Sequence, residues 1–107
     1  MSLNASINVF AFNLSNLQLS GANLSGSSLY TADISNTNLS GANLSGAQIY
    51  KADISNTNFK YADLSHANLC GAAANSPRTF DFTGADLSYA DLDHAQLVDA
   101  DLTDTTI

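Results

Sequence analysis

Residues 15–34 read SNLQLSGANLSGSSLYTADI and residues 35–54 continue SNTNLSGANLSGAQIYKADI, the two blocks agreeing at 14 of 20 positions. Within each block a large apolar residue returns every fifth place: Leu19, Leu24, Leu29 and Ile34, then Leu39, Leu44, Ile49 and Ile54. The beat extends outward to Leu14 on one side and to Phe59, Leu64 and Leu69 on the other. An α-helix places apolar residues three and four apart, and a half-buried strand alternates them every two. A five-residue period therefore needs a backbone that turns once per pentad. Because the whole pattern returns after twenty residues, four pentads close one circuit and equivalent sides stack. Tyr30 with Tyr50, and Asn16 with Asn36 and Asn56, recur at that interval. A fixed internal period of this kind marks a solenoid, in which each unit buries its apolar side against its neighbours.

The places around each large residue have roles of their own. Two before it stand small residues, among them Ala22, Ala32, Thr37, Ala42, Ala47, Ala52, Thr57, Ala62 and Ala67. One before it comes Asn or Asp in most pentads, such as Asn23, Asp33, Asn43, Asp53 and Asp63. On a short extended segment the small and the large residue both point inward, and the Asn or Asp between them points out. The two residues after the centre make a corner, for which Ser, Gly and Asn are suited by their turn geometry and local hydrogen bonding.

SGANLS at Ser20 and Ser40, YADLS at Tyr61, GADLS at Gly84 and YADLD at Tyr89 resemble the A(D/N)Lxx motif of pentapeptide-repeat proteins. The resemblance covers roughly residues 7–107, about eighteen pentads, and the succession carries it where a single motif would not. It implies an all-β fold, a right-handed quadrilateral parallel β-helix of about five coils. The handedness comes from the family and not from the residues. The expected organisation is one domain over 1–107, with a first repeat run over 7–76, inserted residues 77–79 and a second run over 80–107.

The register slips once. It holds to Ala74 and resumes at Phe82, Leu87, Leu92, Leu97, Leu102 and Ile107, so three residues near Pro77, Arg78 and Thr79 are extra. They read as a short loop near 75–79 that bulges from a corner, since surface insertions are thermodynamically mild. A protruding loop with the chain's single Pro and single Arg is also a place for specific contact. Large residues occupy the normally small place at Ile7, Phe12, Leu17 and Phe80, where an interior sized for Ala would be overpacked. A wider bore is expected there. Residues 1–8 are expected to plug one end of the stack, whereas the C-terminal coil shows no cap.

Composition narrows the function classes. Only 12% of the residues are charged, so Asn, Ser, Thr and Gly must solvate the faces. The sequence contains no membrane-length apolar run and no signal-peptide pattern, which makes a cytoplasmic location the default expectation. Cys70 stands alone, so no intrachain disulfide forms. The net charge of −7 is unevenly placed: up to residue 80, Asp33, Asp53 and Asp63 balance Lys51, Lys60 and Arg78. Beyond it stand Asp81, Asp86, Asp91, Asp93, Asp99, Asp101 and Asp104, with no Lys or Arg. Such an acidic collar attracts a basic partner and repels nucleic acid.

No catalytic constellation is visible. The regular Ser residues have no recognisable base and orienting partner, and a packed four-sided rod offers flat faces where catalysis needs a concave pocket. His66, Cys70, Asp93 and His94 are metal-ligand types, but they lack the dense spacing of a zinc motif. No enzyme, cofactor or metal is expected.

Three functions remain. The first is a non-enzymatic rigid scaffold for protein–protein interaction, with Asp81, Asp86, Asp91, Asp93, Asp99, Asp101, Asp104, Tyr30, Tyr50, Pro77 and Arg78 as its candidate surface. The second follows from the resemblance, since some pentapeptide-repeat proteins mimic duplex DNA and bind DNA gyrase. About five coils at ~4.8 Å give a rod of roughly 24 Å, over which duplex DNA carries on the order of fourteen charges. The chain carries half of that, at one end; a homodimer joined through the C-terminal coil would lengthen the rod. The third is a stability module of a larger protein or assembly.

Overall fold

The computed structural model describes residues 13–73, 81–93, 95, 97 and 100–107. Over these residues the backbone forms four ladders of parallel bridges, one for each face of the coil. The first face joins Asn13, Asp33, Asp53 and Ala73, and the second joins Gln18, Asn38, Asn58, Asp81 and Asp101. The third joins Asn23, Asn43, Asp63, Asp86 and Thr106, and the fourth joins Ser28, Gln48, Asn68 and Asp91. Every rung is the residue just before a pentad centre. Successive rungs are 20 residues apart until Asn58↔Asp81, Asp63↔Asp86 and Asn68↔Asp91, where the interval is 23. Three residues are thus absorbed between Ala73 and Asp81 without loss of pairing. Ala74, Pro77, Arg78, Thr79 and Phe80 lie outside the described residues, as do the expected N-terminal plug and the large residues Ile7 and Phe12.

The pairing is that of parallel strands reduced to one rung each. Leu44 N donates to Asp63 O at 2.7 Å, and Asp63 N donates back to Ala42 O at 2.9 Å. This arrangement turns the residues on either side of the rung inward. Leu24, Leu44, Leu64 and Leu87 stack inside the third face, and Ala22, Ala42, Ala62 and Ala85 stack beside them, all buried. Full burial of one Leu contributes about 1.5–3 kcal/mol, so the period is what holds the circuit closed. On the second face the interior takes Phe59 and Phe82, both buried, whose rings lie parallel at 4.8 Å across the 23-residue step.

Polar groups that enter the interior find partners there. Thr37 and Thr57, at small places, donate through Oγ1 to Leu14 O at 2.7 Å and to Ile34 O at 2.8 Å. Ser27 Oγ donates to Leu24 O at 2.7 Å. Among the described residues no buried side-chain nitrogen or oxygen is left without a partner. Leu17 departs from the expectation of a wider bore: it is 39% exposed, so its bulk is accommodated partly outside.

Corners are closed by two local bonds. At the corner between the second and third faces, Ala42 N donates to Leu39 O at 3.0 Å, and Ser40 N donates to Asn38 Oδ1 at 3.0 Å. The first bond closes a four-residue turn whose third residue, Gly41, has φ +65°, the conformation that a type II turn requires. The second explains the Asn or Asp before each centre, whose side chain reaches over the centre to the next amide. Among the described residues no helix is long and apolar enough to cross a membrane.

Candidate interaction surface

The acidic residues of the second run are spread around the coil. Asp81 and Asp101 are neighbouring rungs of the second face, Asp86 is on the third and Asp91 on the fourth. Asp93 stands at the corner between the fourth and first faces, and Asp104 at the corner between the second and third. They form a collar over three faces instead of one stripe; Asp99 lies outside the described residues. Each rung carboxylate also belongs to the fold through one oxygen. Asp86 Oδ1 accepts from Ser88 N and Oγ, Asp101 Oδ1 from Thr103 N and Oγ1, Asp81 Oδ1 from Thr83 N, and Asp91 Oδ1 from Asp93 N.

Those bonds favour the charged form. Hydrogen bonds from the Ser88 side chain and backbone hold the Asp86 carboxyl below its ordinary value, with a smaller contribution from His66. The Thr103 side chain and backbone do the same at Asp101. At Asp81 desolvation pushes upward, and it is outweighed by bonds from Thr83 and by Lys60, whose Nζ lies 3.4 Å from Asp81 Oδ2.

Tyr30 and Tyr50 adjoin in one column at the corner between the fourth and first faces, their rings meeting edge to face with centroids 6.0 Å apart and planes inclined at 65°. Lys51 Nζ lies 5.2 Å from the Tyr50 ring. Both tyrosines are half-buried. Lys60 and Tyr61 stand two corners away, so the two groups do not share one surface. Asn56 Nδ2 donates to Asn36 Oδ1 at 2.9 Å, an amide ladder along the corner column. Asp93 stacks one coil beyond Cys70, with Gly71 N donating to Asp93 O at 3.0 Å, and His66 is a corner away. Among the described residues no group of three His, Cys, Asp or Glu side chains is placed to hold a metal ion. His94, Pro77 and Arg78 are not among those residues.

Among the described residues the most exposed aromatics lie elsewhere. The second corner residue has positive φ around the whole coil, and Gly or Asn holds many of these places. Tyr61, His66 and Tyr89 also adopt it, with φ of 58°, 59° and 59°. Tyr61 is 71% exposed and Tyr89 84%. The Tyr61 ring lies over the next coil's Gly84, where an added Cβ would come 2.5 Å from Tyr61 Cδ1. Tyr89 stacks on His66 with centroids 5.0 Å apart and planes 7° from parallel. Sequence reasoning did not select these three residues as a site. The available signal was three ring-bearing residues at a place held by Gly21, Gly41, Gly26 and Gly46 in the preceding coils.

Solved structures show how widely this arrangement is shared. HetL from the cyanobacterium Nostoc, a pentapeptide repeat protein involved in heterocyst differentiation regulation, is 30% identical and superposes with a TM-score of 0.64 over 97% of this chain and 50% of its own. Rfr23 from the cyanobacterium Cyanothece is 29% identical with a TM-score of 0.60, over 92% of this chain and 63% of its own. A pentapeptide repeat protein of the Arabidopsis thaliana thylakoid lumen is 29% identical with a TM-score of 0.52, over 85% of this chain and 68% of its own. The chain thus spans about half the length of HetL. No curated protein sequence matches it. The family model for pentapeptide repeats matches in eight copies over residues 13–49, 39–73 and 80–106, and on that match and the four-sided coil the chain belongs to the pentapeptide repeat family.

Proposed function

We propose that this protein is a non-enzymatic scaffold, a right-handed β-helix of about five coils, that presents its acidic second repeat run to a protein with a basic surface. The supporting observation is the charge distribution: seven aspartates follow residue 80 with no Lys or Arg among them. Those on described rungs face outward from three sides, with one oxygen fixed by the corner. Charge of one sign on a rigid frame steers an oppositely charged partner and sets its orientation. Tyr30, Tyr50, Pro77 and Arg78 are further contacts in this proposal.

The test is capture of partners on immobilised protein followed by a salt gradient. Wild type retains a partner that elutes as salt rises, and the triple variant Asp81→Asn, Asp86→Asn, Asp101→Asn loses it. Asn preserves the corner bonds, as Asn38 and Asn43 do at equivalent rungs. Equal capture by both proteins would overturn the proposal.

Mimicry of duplex DNA towards gyrase is the weaker reading on charge density. The Cα trace extends 31 Å along its longest axis, a length at which duplex DNA carries roughly eighteen charges, against a net −7 here. Supercoiling by gyrase is expected to be unchanged at micromolar protein. A homodimer through the C-terminal coil is part of this proposal, and light scattering across a dilution series tests it. A constant monomer mass would remove it.

A further inference from the structure

We infer that the third face, between its two aromatic corners, is a docking site for an arginine side chain on an extended segment of a partner protein. Asp63 and Asp86 are adjacent rungs of this face, which puts their carboxylates about 5 Å apart along the stack. Each commits Oδ1 to its own corner, accepting from Ser65 and from Ser88. Like charges directly opposite one another on a sheet repel, and a cation between them removes that repulsion. Lys60, at the corner that opens the face, directs its ammonium to Asp81 on the second face at 3.4 Å instead. The paired aspartates of the second face, Asp81 and Asp101, have Lys60 at hand.

Rings frame the two carboxylates. Tyr61 closes one side over Gly84, and the stacked pair His66 and Tyr89 closes the other. A face spans about 10 Å from corner to corner, three extended residues, the width of one flat side chain with its stem. Guanidinium fits this chemistry better than ammonium: it is planar, stacks on an aromatic face and binds carboxylates through two parallel N–H donors. The fold itself has no need of these rings, because glycine occupies the same places at Gly41 and Gly46 without left-handed strain. Rings at both corners of a carboxylate pair, with the His66 imidazole beside Asp86 and Lys60 turned away to Asp81, are what a site for a planar cation presents.

The assignment rests on the interaction-scaffold reading and makes it specific. Fluorescence polarisation of a labelled peptide with two arginines separated by one glycine provides the test, with the lysine counterpart as comparison. Tyr61→Gly with Tyr89→Gly, and Asp63→Asn with Asp86→Asn, should each weaken arginine-peptide binding by about fivefold or more. Both variants keep residue types that the same columns already use, so thermal melts should show them folded. Asp81→Asn with Asp101→Asn, on the second face, should leave the affinity within about twofold. The lysine peptide should bind more weakly than the arginine peptide. Equal weakening by the second-face variant would overturn the site while leaving a diffuse acidic scaffold standing. Absence of arginine-peptide binding to wild type, or no preference for arginine over lysine, would overturn the site as well. Failure of the scaffold reading shows separately, as capture that ignores the acidic residues.

Discussion

Replacing Gly41 by Ala isolates what a corner costs. Gly41 has φ +65°, and a Cβ placed there meets nothing within 4 Å, so no neighbour has to move. What remains is the left-handed penalty of an L-residue, about 1–2 kcal/mol, offset by about 0.4–1 kcal/mol because alanine lowers the entropy of the unfolded chain. The net loss is roughly 0.5–1 kcal/mol. Gly84→Ala has the same backbone term at φ +69° and adds a collision, its Cβ falling 2.5 Å from Tyr61 Cδ1. Tyr61 is exposed and can swing away, giving up its contact with the corner. At ~25 cal/mol per Å², the few tens of Å² uncovered add about 0.5–1 kcal/mol. In a Tyr61→Gly background the collision vanishes, and Gly84→Ala should then cost the same as Gly41→Ala. Thermal unfolding reads the difference, since 1 kcal/mol moves the midpoint by about 4–8 °C in a domain of this size. An unchanged midpoint for Gly41→Ala would refute the left-handed corner. An equal cost for Gly84→Ala in both backgrounds would refute the placement of Tyr61 over it.

Two further outcomes follow from burial and charge. Leu44→Asp puts a carboxylate into the fully buried stack of the third face and should cost several kcal/mol, on the order of 3 or more; Ser45→Asp, at the corner, should cost under about 1 kcal/mol, and urea unfolding compares them. Acid sensitivity has a definite sign. Asp81, Asp86 and Asp101 have their folded pKa lowered from 3.8, so their contribution is present above that value and is lost as pH falls below it through the folded pKa. Melting midpoints taken from about pH 5 to about pH 2 should therefore drop, and Asp86→Asn with Asp101→Asn should flatten the drop. A variant that declines as steeply as wild type would contradict this.

The period, the inward pair and the four-sided circuit were legible because each is a packing requirement repeated in every pentad. The agreement between residues 15–34 and 35–54 gives the circuit length, and the gap between Ala74 and Phe82 gives the three extra residues that the ladders absorb as a step of 23. The corner was legible only where its residues were Ser, Gly or Asn. At Tyr61, His66 and Tyr89 the same left-handed turn is taken by residues that do not favour it, and its sign in the sequence lies in the Gly residues of the same columns in the preceding coils. The aspartates were read as outward charge alone. Their second role, as acceptors for the amide two residues on, appears once Asp86 Oδ1 and Ser88 N are seen 2.9 Å apart. The pairing of Tyr89 with His66 depends on the shifted register, so it follows from the sequence only after the insertion has been placed.

Short-range cross-linking of paired cysteines tests the circuit most directly. In a Cys70→Ser background, Asn38→Cys with Asn58→Cys, and Asn58→Cys with Asp81→Cys, occupy adjacent rungs of the second face across steps of 20 and 23 residues. A bifunctional thiol reagent spanning about 5 Å, the distance between neighbouring rungs, should link both pairs in the folded protein. It should not link Asn38→Cys with Asp63→Cys, which sit on different faces. Linkage of that third pair in place of the first two would contradict the four-sided coil and the surfaces built on it.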